Sequence, residues 1–256
     1  MTRKHIALLA GILGCSSPST TQTADSDTSG TAGTTPPGTQ TNTGSGYTPL
    51  QDSDGDGYLD SDEVFEGTDP MDYDSRIYQG FWPYWRNKNS LGSPAVERIG
   101  TGDQMPRLIA PDQHGDFVDL YDFGGPQSTQ RYVVLVVCGD WTPPCHDLAN
   151  WLAGASVNYL DPYTDMRDDI NAGVLGMVYA ISEDIDGLPP APSLAGTFYA
   201  AYPTDSVAFV ADTEQLGADT LVATTNTWPT AALLDPASME VLYVGGPTEV
   251  LRESRY

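Results

Sequence analysis

Positive charge is scarce in this chain. In 256 residues, 11 Lys and Arg stand against 35 Asp and Glu, giving a formal net charge of −24 and a pI of about 4.1. Such a surface repels nucleic acid and anionic lipid headgroups, so neither is an expected partner. Histidine is as rare. His5, His114 and His146 sit in unrelated contexts and form no metal set with the cysteines. Long apolar runs are missing too. Ile6 to Leu13 is apolar but too short to span a bilayer as a helix, and no other segment is longer and as apolar. The chain shows no phosphate loop, no Ser-His-Asp order and no dinucleotide signature. Cysteine is limited to Cys15, Cys138 and Cys145.

What is present begins at the N-terminus. Arg3 and Lys4 precede the short apolar stretch, which ends in Ile12-Leu13-Gly14-Cys15. This resembles a bacterial lipobox, in which the cysteine is lipidated and becomes the first residue. The resemblance implies an extracytoplasmic lipoprotein held by a lipid anchor at Cys15 and not by a transmembrane helix. Ser16, where an Asp would retain the protein at the inner membrane, points to the outer membrane or cell surface of a Gram-negative bacterium. Acylation of Cys15 leaves two thiols. Outside the cytoplasm such a pair is most often a disulfide, although spacing alone does not show that Cys138 and Cys145 meet.

Five regions are expected. Residues 1–15 are the signal and lipobox. Residues 16–50, almost all Ser, Thr, Gly, Pro, Gln, Asn and Asp, lack a hydrophobic period and read as a disordered tether. Residues 51–76 are an acidic block. Residues 77–101 open with Tyr78, Phe81, Trp82, Tyr84 and Trp85 and read as a strap packed on the domain that follows. From 102 to 256 the pattern is α/β. A hairpin is predicted from Leu108-Ile109-Ala110 to Phe117-Val118-Asp119-Leu120, and a buried strand over Tyr132–Cys138. A helix is predicted from Cys145 to about Ala155 on the spacing of Leu148, Trp151 and Leu152. A second buried strand is predicted over Val174–Ile181, then a loop over Glu183–Ser193. A last hairpin joins Thr230–Leu234 to Val241–Val244, and a short helix covers Thr248–Ser254.

The acidic block carries a metal-ligand spacing. Asp52, Asp54, Asp56, Asp60 and Glu63 fall at positions 1, 3, 5, 9 and 12 of a loop, with Gly57 at position 6 where the chain must turn sharply. Calcium needs six to eight hard oxygens, and this spacing lets one short loop wrap an ion, with the Tyr58 carbonyl at position 7 and Glu63 bidentate. Together with Val64-Phe65-Glu66-Gly67-Thr68-Asp69-Pro70, the block resembles the bacterial thrombospondin type 3 repeats. Asp72 and Asp74 start a second repeat that Arg76 interrupts. The expected cofactor is one Ca2+ ion in a stiffening role.

The thiol chemistry is carried by Trp141-Thr142-Pro143-Pro144-Cys145, between the predicted strand and helix. This corner resembles the Trp-Cys-Pro-Pro-Cys motif of thioredoxin-like redoxins, which implies a central mixed sheet flanked by helices. The Asn226-Thr227-Trp228-Pro229-Thr230 segment fits the cis-proline loop of that fold, with Pro229 opposite the cysteines. The attacking cysteine of the motif is replaced by Thr142, so ordinary dithiol exchange should fail. Thr142 and Cys145 also fit the Thr-x-x-Cys spacing of peroxiredoxins, where the hydroxyl places a peroxide beside the cysteine. Arg167, Arg252 and Arg255 are then the candidates for the peroxide-binding arginine. Cys138 is alternatively the partner of Cys145. His146 either tunes Cys145 or is a solvated first-turn residue.

The site residues are therefore Cys145, Thr142, Cys138, Trp141 and Pro229 for thiol chemistry on a protein or peroxide substrate. The rival class is a non-catalytic, calcium-stabilised envelope module that keeps the fold to bind a partner polypeptide.

Overall fold

Tyr132–Gly139 (β3) forms the middle of a five-stranded sheet because every residue after Tyr132 is apolar or small and both faces are covered. The structure, a computed structural model, describes residues 51–95, 98–126 and 128–256. The expected lipobox with Cys15 and the tether lie outside the described residues. Leu175–Glu183 (β4) and Ala208–Ala211 (β5) lie parallel to β3 on one side. Thr230–Leu234 (β6) and Val241–Gly245 (β7) pair antiparallel on the other, giving the order β5-β4-β3-β6-β7. A separate hairpin joins Ile109–Pro111 (β1) to Phe117–Asp119 (β2). Its turn closes because Gly115 takes φ +96° and Asp112 Oδ1 accepts the amides of His114 and Asp116. A mixed sheet flanked by helices, with two parallel strand-helix units before a final antiparallel pair, is the thioredoxin-like fold.

Strand alternation sorts the core into two layers. Val134, Val136 and Cys138 of β3, with Met177, Tyr179 and Ile181 of β4, face the helices Pro143–Leu152 (α2), Thr164–Asn171 (α3), Leu194–Ala201 (α4) and Pro247–Glu253 (α6). Val133, Leu135 and Val137 face the other way, onto the hairpin, Leu120, Tyr121 and the strap residues Tyr78 and Trp82. Helix α2 starts with two prolines, whose missing N–H groups would be unpaired there in any case. It stops at Leu152, short of the predicted Ala155, because Gly154 takes φ +100°. Trp151 on its inner face is fully buried, and truncation to Ala would cost about 3–5 kcal/mol.

The strap is held by buried acids. Trp82 Nε1 donates to Asp112 Oδ2 at 2.6 Å, and Tyr78 Oη donates to Asp122 Oδ2 at 2.6 Å. Lys88 Nζ donates to both oxygens of Asp122 at 2.6 and 2.7 Å. Burial nevertheless pushes the Asp122 carboxyl up to about 6, against the pull of Lys88.

Five elements go beyond the sequence reading. Helices α3 and α4 and the edge strand β5 occupy stretches given no structure there, and a π-helical turn (Ala218–Val222) runs into a last turn, Ala223–Thr225 (α5), before the cis-proline loop. No helix among the described residues is long and apolar enough to cross a membrane.

Candidate functional site

The end of β3 brings Cys138 out beneath the first turn of α2. The connection is tight: Asp140 N donates to Glu183 O at 2.8 Å, Thr142 N to Gly139 O at 3.0 Å, and Cys145 N to Thr142 O at 3.1 Å. This folds the helix back over the strand, with Cys138 and Cys145 joined as a disulfide across a Cα–Cα distance of 5.8 Å. Both cysteines are fully buried. Thr230 pairs with Val137, so Pro229, which follows a cis Trp228–Pro229 bond, enters the sheet at the level of Cys138. Cys138, Cys145, Thr142 and Pro229 thus share one end of the sheet.

Thr142, in the attacker's place, is 3% exposed. Its hydroxyl donates to the Gly139 carbonyl at 3.0 Å and does not cap α2. A hydroxyl spent on the strand end gives the peroxide-positioning reading no support. The three arginines give none either. Arg167 donates to the carbonyls of Trp151 and Ala155, Arg252 pairs with Glu253, and Arg255 pairs with Asp165. Trp141 lies on the rim, 44% exposed, with Nε1 donating to Glu183 Oε2 at 2.6 Å and its ring edge-on to Trp228 at 6.1 Å.

His146 is more engaged than a solvated first-turn residue. Its Nε2 meets the Asp140 carbonyl at 2.5 Å, and a carbonyl only accepts, so Nε2 carries the proton. Nδ1 lies 3.0 Å from Tyr202 Oη, and the ring stacks on Phe198 at 5.3 Å.

Sequence reasoning missed Tyr179. It faces Val136 in the β3–β4 register and so projects to the same side as Cys138. Its hydroxyl donates to the Cys145 carbonyl at 2.8 Å and lies 2.8 Å from Cys138 Sγ. Full burial holds its phenol well above the usual tyrosine range. The only sequence signal was an aromatic residue inside a buried strand, which is ordinary core composition.

The acidic loop forms a second candidate site. Oxygens of Asp52, Asp54 and Asp56 lie within 4.8 Å of one another. Asp52 accepts the amides of Gly55 and Gly57, both at positive φ, which curls the loop around these carboxylates. Glu63, in the first turn of Asp60–Glu66 (α1), is fully buried. Asp54 Oδ2, Asp56 Oδ2 and Glu63 Oε2 are buried with no hydrogen-bond partner. Burial first, then the neighbouring acids, raises the Asp56 and Glu63 carboxyls. Three buried, unpaired carboxylate oxygens are costly unless a cation completes them, so the donor set fits a hard divalent ion. Both oxygens of Asp60 accept from Ser53, through the amide and the hydroxyl, each at 2.8 Å. Tyr58 turns its ring inward, with Oη donating to Trp82 O at 2.7 Å. Beyond this loop, Arg76 pairs with Asp74 at 3.2 Å and lies over the rings of Tyr73 and Phe81.

Residues 52–72 match the bacterial TSP3 repeat family. Among curated proteins none matches the chain. Similar solved structures include a candidate thiol:disulfide interchange protein DsbE from Chlorobium tepidum, 23% identical, covering 61% of this chain and 96% of that one with a TM-score of 0.42. Peroxidoxin BcpB from Mycobacterium tuberculosis is 16% identical over 62% of this chain and 97% of its own, TM-score 0.42. The thiol peroxidase from Chromobacterium violaceum is 12% identical over 63% and 89%, TM-score 0.40.

Proposed function

We propose that this chain is an extracytoplasmic, lipid-anchored thioredoxin-like protein whose thiol chemistry is the two-electron couple of Cys138 and Cys145, on a domain stiffened by one calcium ion. The observation that carries the reading is the disulfide between the end of β3 and the start of α2. A dithiol reductant would supply two electrons and two protons: its sulfurs close into a new disulfide as the Cys138–Cys145 bond opens to two thiols. Thr142 offers no thiolate, so exchange with a folded protein substrate through the exposed edge of the motif is not part of the proposal. Intact-mass thiol counting during titration with dithiothreitol tests it. A two-thiol step at Cys138 and Cys145 supports the couple, and failure to detect the pair in either state removes it.

The acidic loop would hold calcium through Asp52, Asp54, Asp56, Asp60, Glu63 and the Tyr58 carbonyl, with Asp60 also bracing Ser53. Extracellular calcium modules bind with dissociation constants of about 0.1–1 mM, which suits a structural ion outside the cytoplasm. The anchor at Cys15 rests on the lipobox. Fatty-acid labelling that Cys15→Ser abolishes would support it, and an unlabelled wild type would contradict it.

A second reading keeps the fold and drops the chemistry. Thr142 in the attacker's place, with Trp141, Trp228 and Pro229 intact on the rim, favours a module that binds an extended polypeptide. An undiminished melting temperature after Cys138→Ala and Cys145→Ala, with no redox-linked change, would favour that class.

A further inference from the structure

We infer that Tyr179 is a positioning residue that makes the Cys138–Cys145 disulfide easier to reduce; the inference rests on the redox reading above. Among the described residues, its hydroxyl is the one side-chain polar group placed against both cysteines, 2.8 Å from Cys138 Sγ and 2.8 Å from the Cys145 carbonyl. The tyrosine is fully buried, so no water competes for these contacts.

The hydroxyl has one proton and two lone pairs. The carbonyl of Cys145 accepts only, so the proton goes there. Tyr179 then turns a lone pair toward Cys138 Sγ. A disulfide sulfur has no hydrogen to give, so in the oxidised state this contact is not a hydrogen bond. Reduction by a dithiol adds two electrons and two protons, breaks the S–S bond and leaves an S–H on each cysteine. The Cys138 S–H can then donate to Tyr179 Oη. The hydrogen bond exists in the dithiol state only, so it stabilises that state selectively. The bond to the Cys145 carbonyl is present in both states and cancels. No other side chain among the described residues hydrogen-bonds Cys138.

The test is the equilibrium of full-length wild type and Tyr179→Phe with dithiothreitol buffers, read by alkylation and intact mass. Phe keeps the ring and removes the hydroxyl. The variant should shift the equilibrium toward the disulfide by about three- to tenfold, as expected for one weak-donor hydrogen bond. Tenfold corresponds to about 30 mV for a two-electron couple. A merely structural tyrosine would lower the melting temperature of both redox states and leave this equilibrium unmoved. An unchanged equilibrium, or a shift toward the dithiol, overturns the inference while leaving the couple itself intact. Absence of the wild-type disulfide under oxidising buffer would instead sink the redox reading. Should Tyr179→Phe not fold, the S–H Raman band of reduced wild type decides. Its lowest-frequency, hydrogen-bonded component should vanish in Cys138→Ala, and a band with no such component overturns the inference.

Discussion

Tyr58 and Trp82 join the acidic loop to the rest of the molecule: the Tyr58 hydroxyl donates to the Trp82 carbonyl at 2.7 Å, while both rings are buried in the layer beneath the sheet. The backbone carbonyl of the same tyrosine is the expected position-7 ligand. Ordering of the acidic loop is thereby connected to seating of the strap, and the strap to the inner face of β3.

Calcium should therefore stabilise the whole folded unit and not the loop alone. Calorimetry up to ~10 mM calcium should show binding to one site, and the melting temperature should rise by about 3 °C at ten times the dissociation constant. Asp56→Ala should remove most of that rise. Tyr58→Phe should keep calcium binding but cost about 1 kcal/mol through the lost bond to Trp82. No heat and no thermal shift in the wild type would remove calcium from the account.

Asp122 and Lys88 give a pH-dependent contribution. The folded state holds the Asp122 proton more tightly than the unfolded chain, since its carboxyl is raised from 3.8 to about 6. Stability from this group is therefore fully present below 3.8 and lost as the pH rises through about 6. Lys88→Met should deepen that loss, because it leaves the carboxylate buried without its cation. Denaturant unfolding should show a cost of about 3 kcal/mol at pH 8 and clearly less at pH 5, where Asp122 is protonated. An equal cost at both values would contradict the assignment.

Thr142 predicts what the motif does not do. Wild type should reduce insulin no faster than dithiothreitol alone. Thr142→Cys combined with Cys138→Ala restores the two-cysteine spacing without a competing partner, and should gain insulin reductase activity. Rapid reduction by the wild type would show that an attacking thiol is not required in this position.

Much of the architecture was legible because single residues left few options. The unbroken apolar run of β3 could only be a covered strand, and Leu148, Trp151 and Leu152 fixed the inner face of α2. Helix α3 was hidden because only Met166 and Ile170 are buried in an acidic stretch. Strand β5 is four residues long with alanine at each end, too short to show a period. The acids that hold the strap, Asp112 and Asp122, look like turn residues in sequence, since their partners Trp82, Tyr78 and Lys88 are some 30 to 44 positions away. The place of Tyr179 against both cysteines depends on the β3–β4 register, which sequence does not give.

The central claim is that Cys138 and Cys145 form a couple at the start of α2. Peptide mapping of the mature protein after blocking free thiols, with and without reductant, tests it most directly. Before reduction, Cys138 and Cys145 should be recovered in one linked peptide pair with neither thiol blocked; after reduction, both should take up label. Free, alkylated Cys138 and Cys145 in the unreduced, extracytoplasmic protein would contradict it.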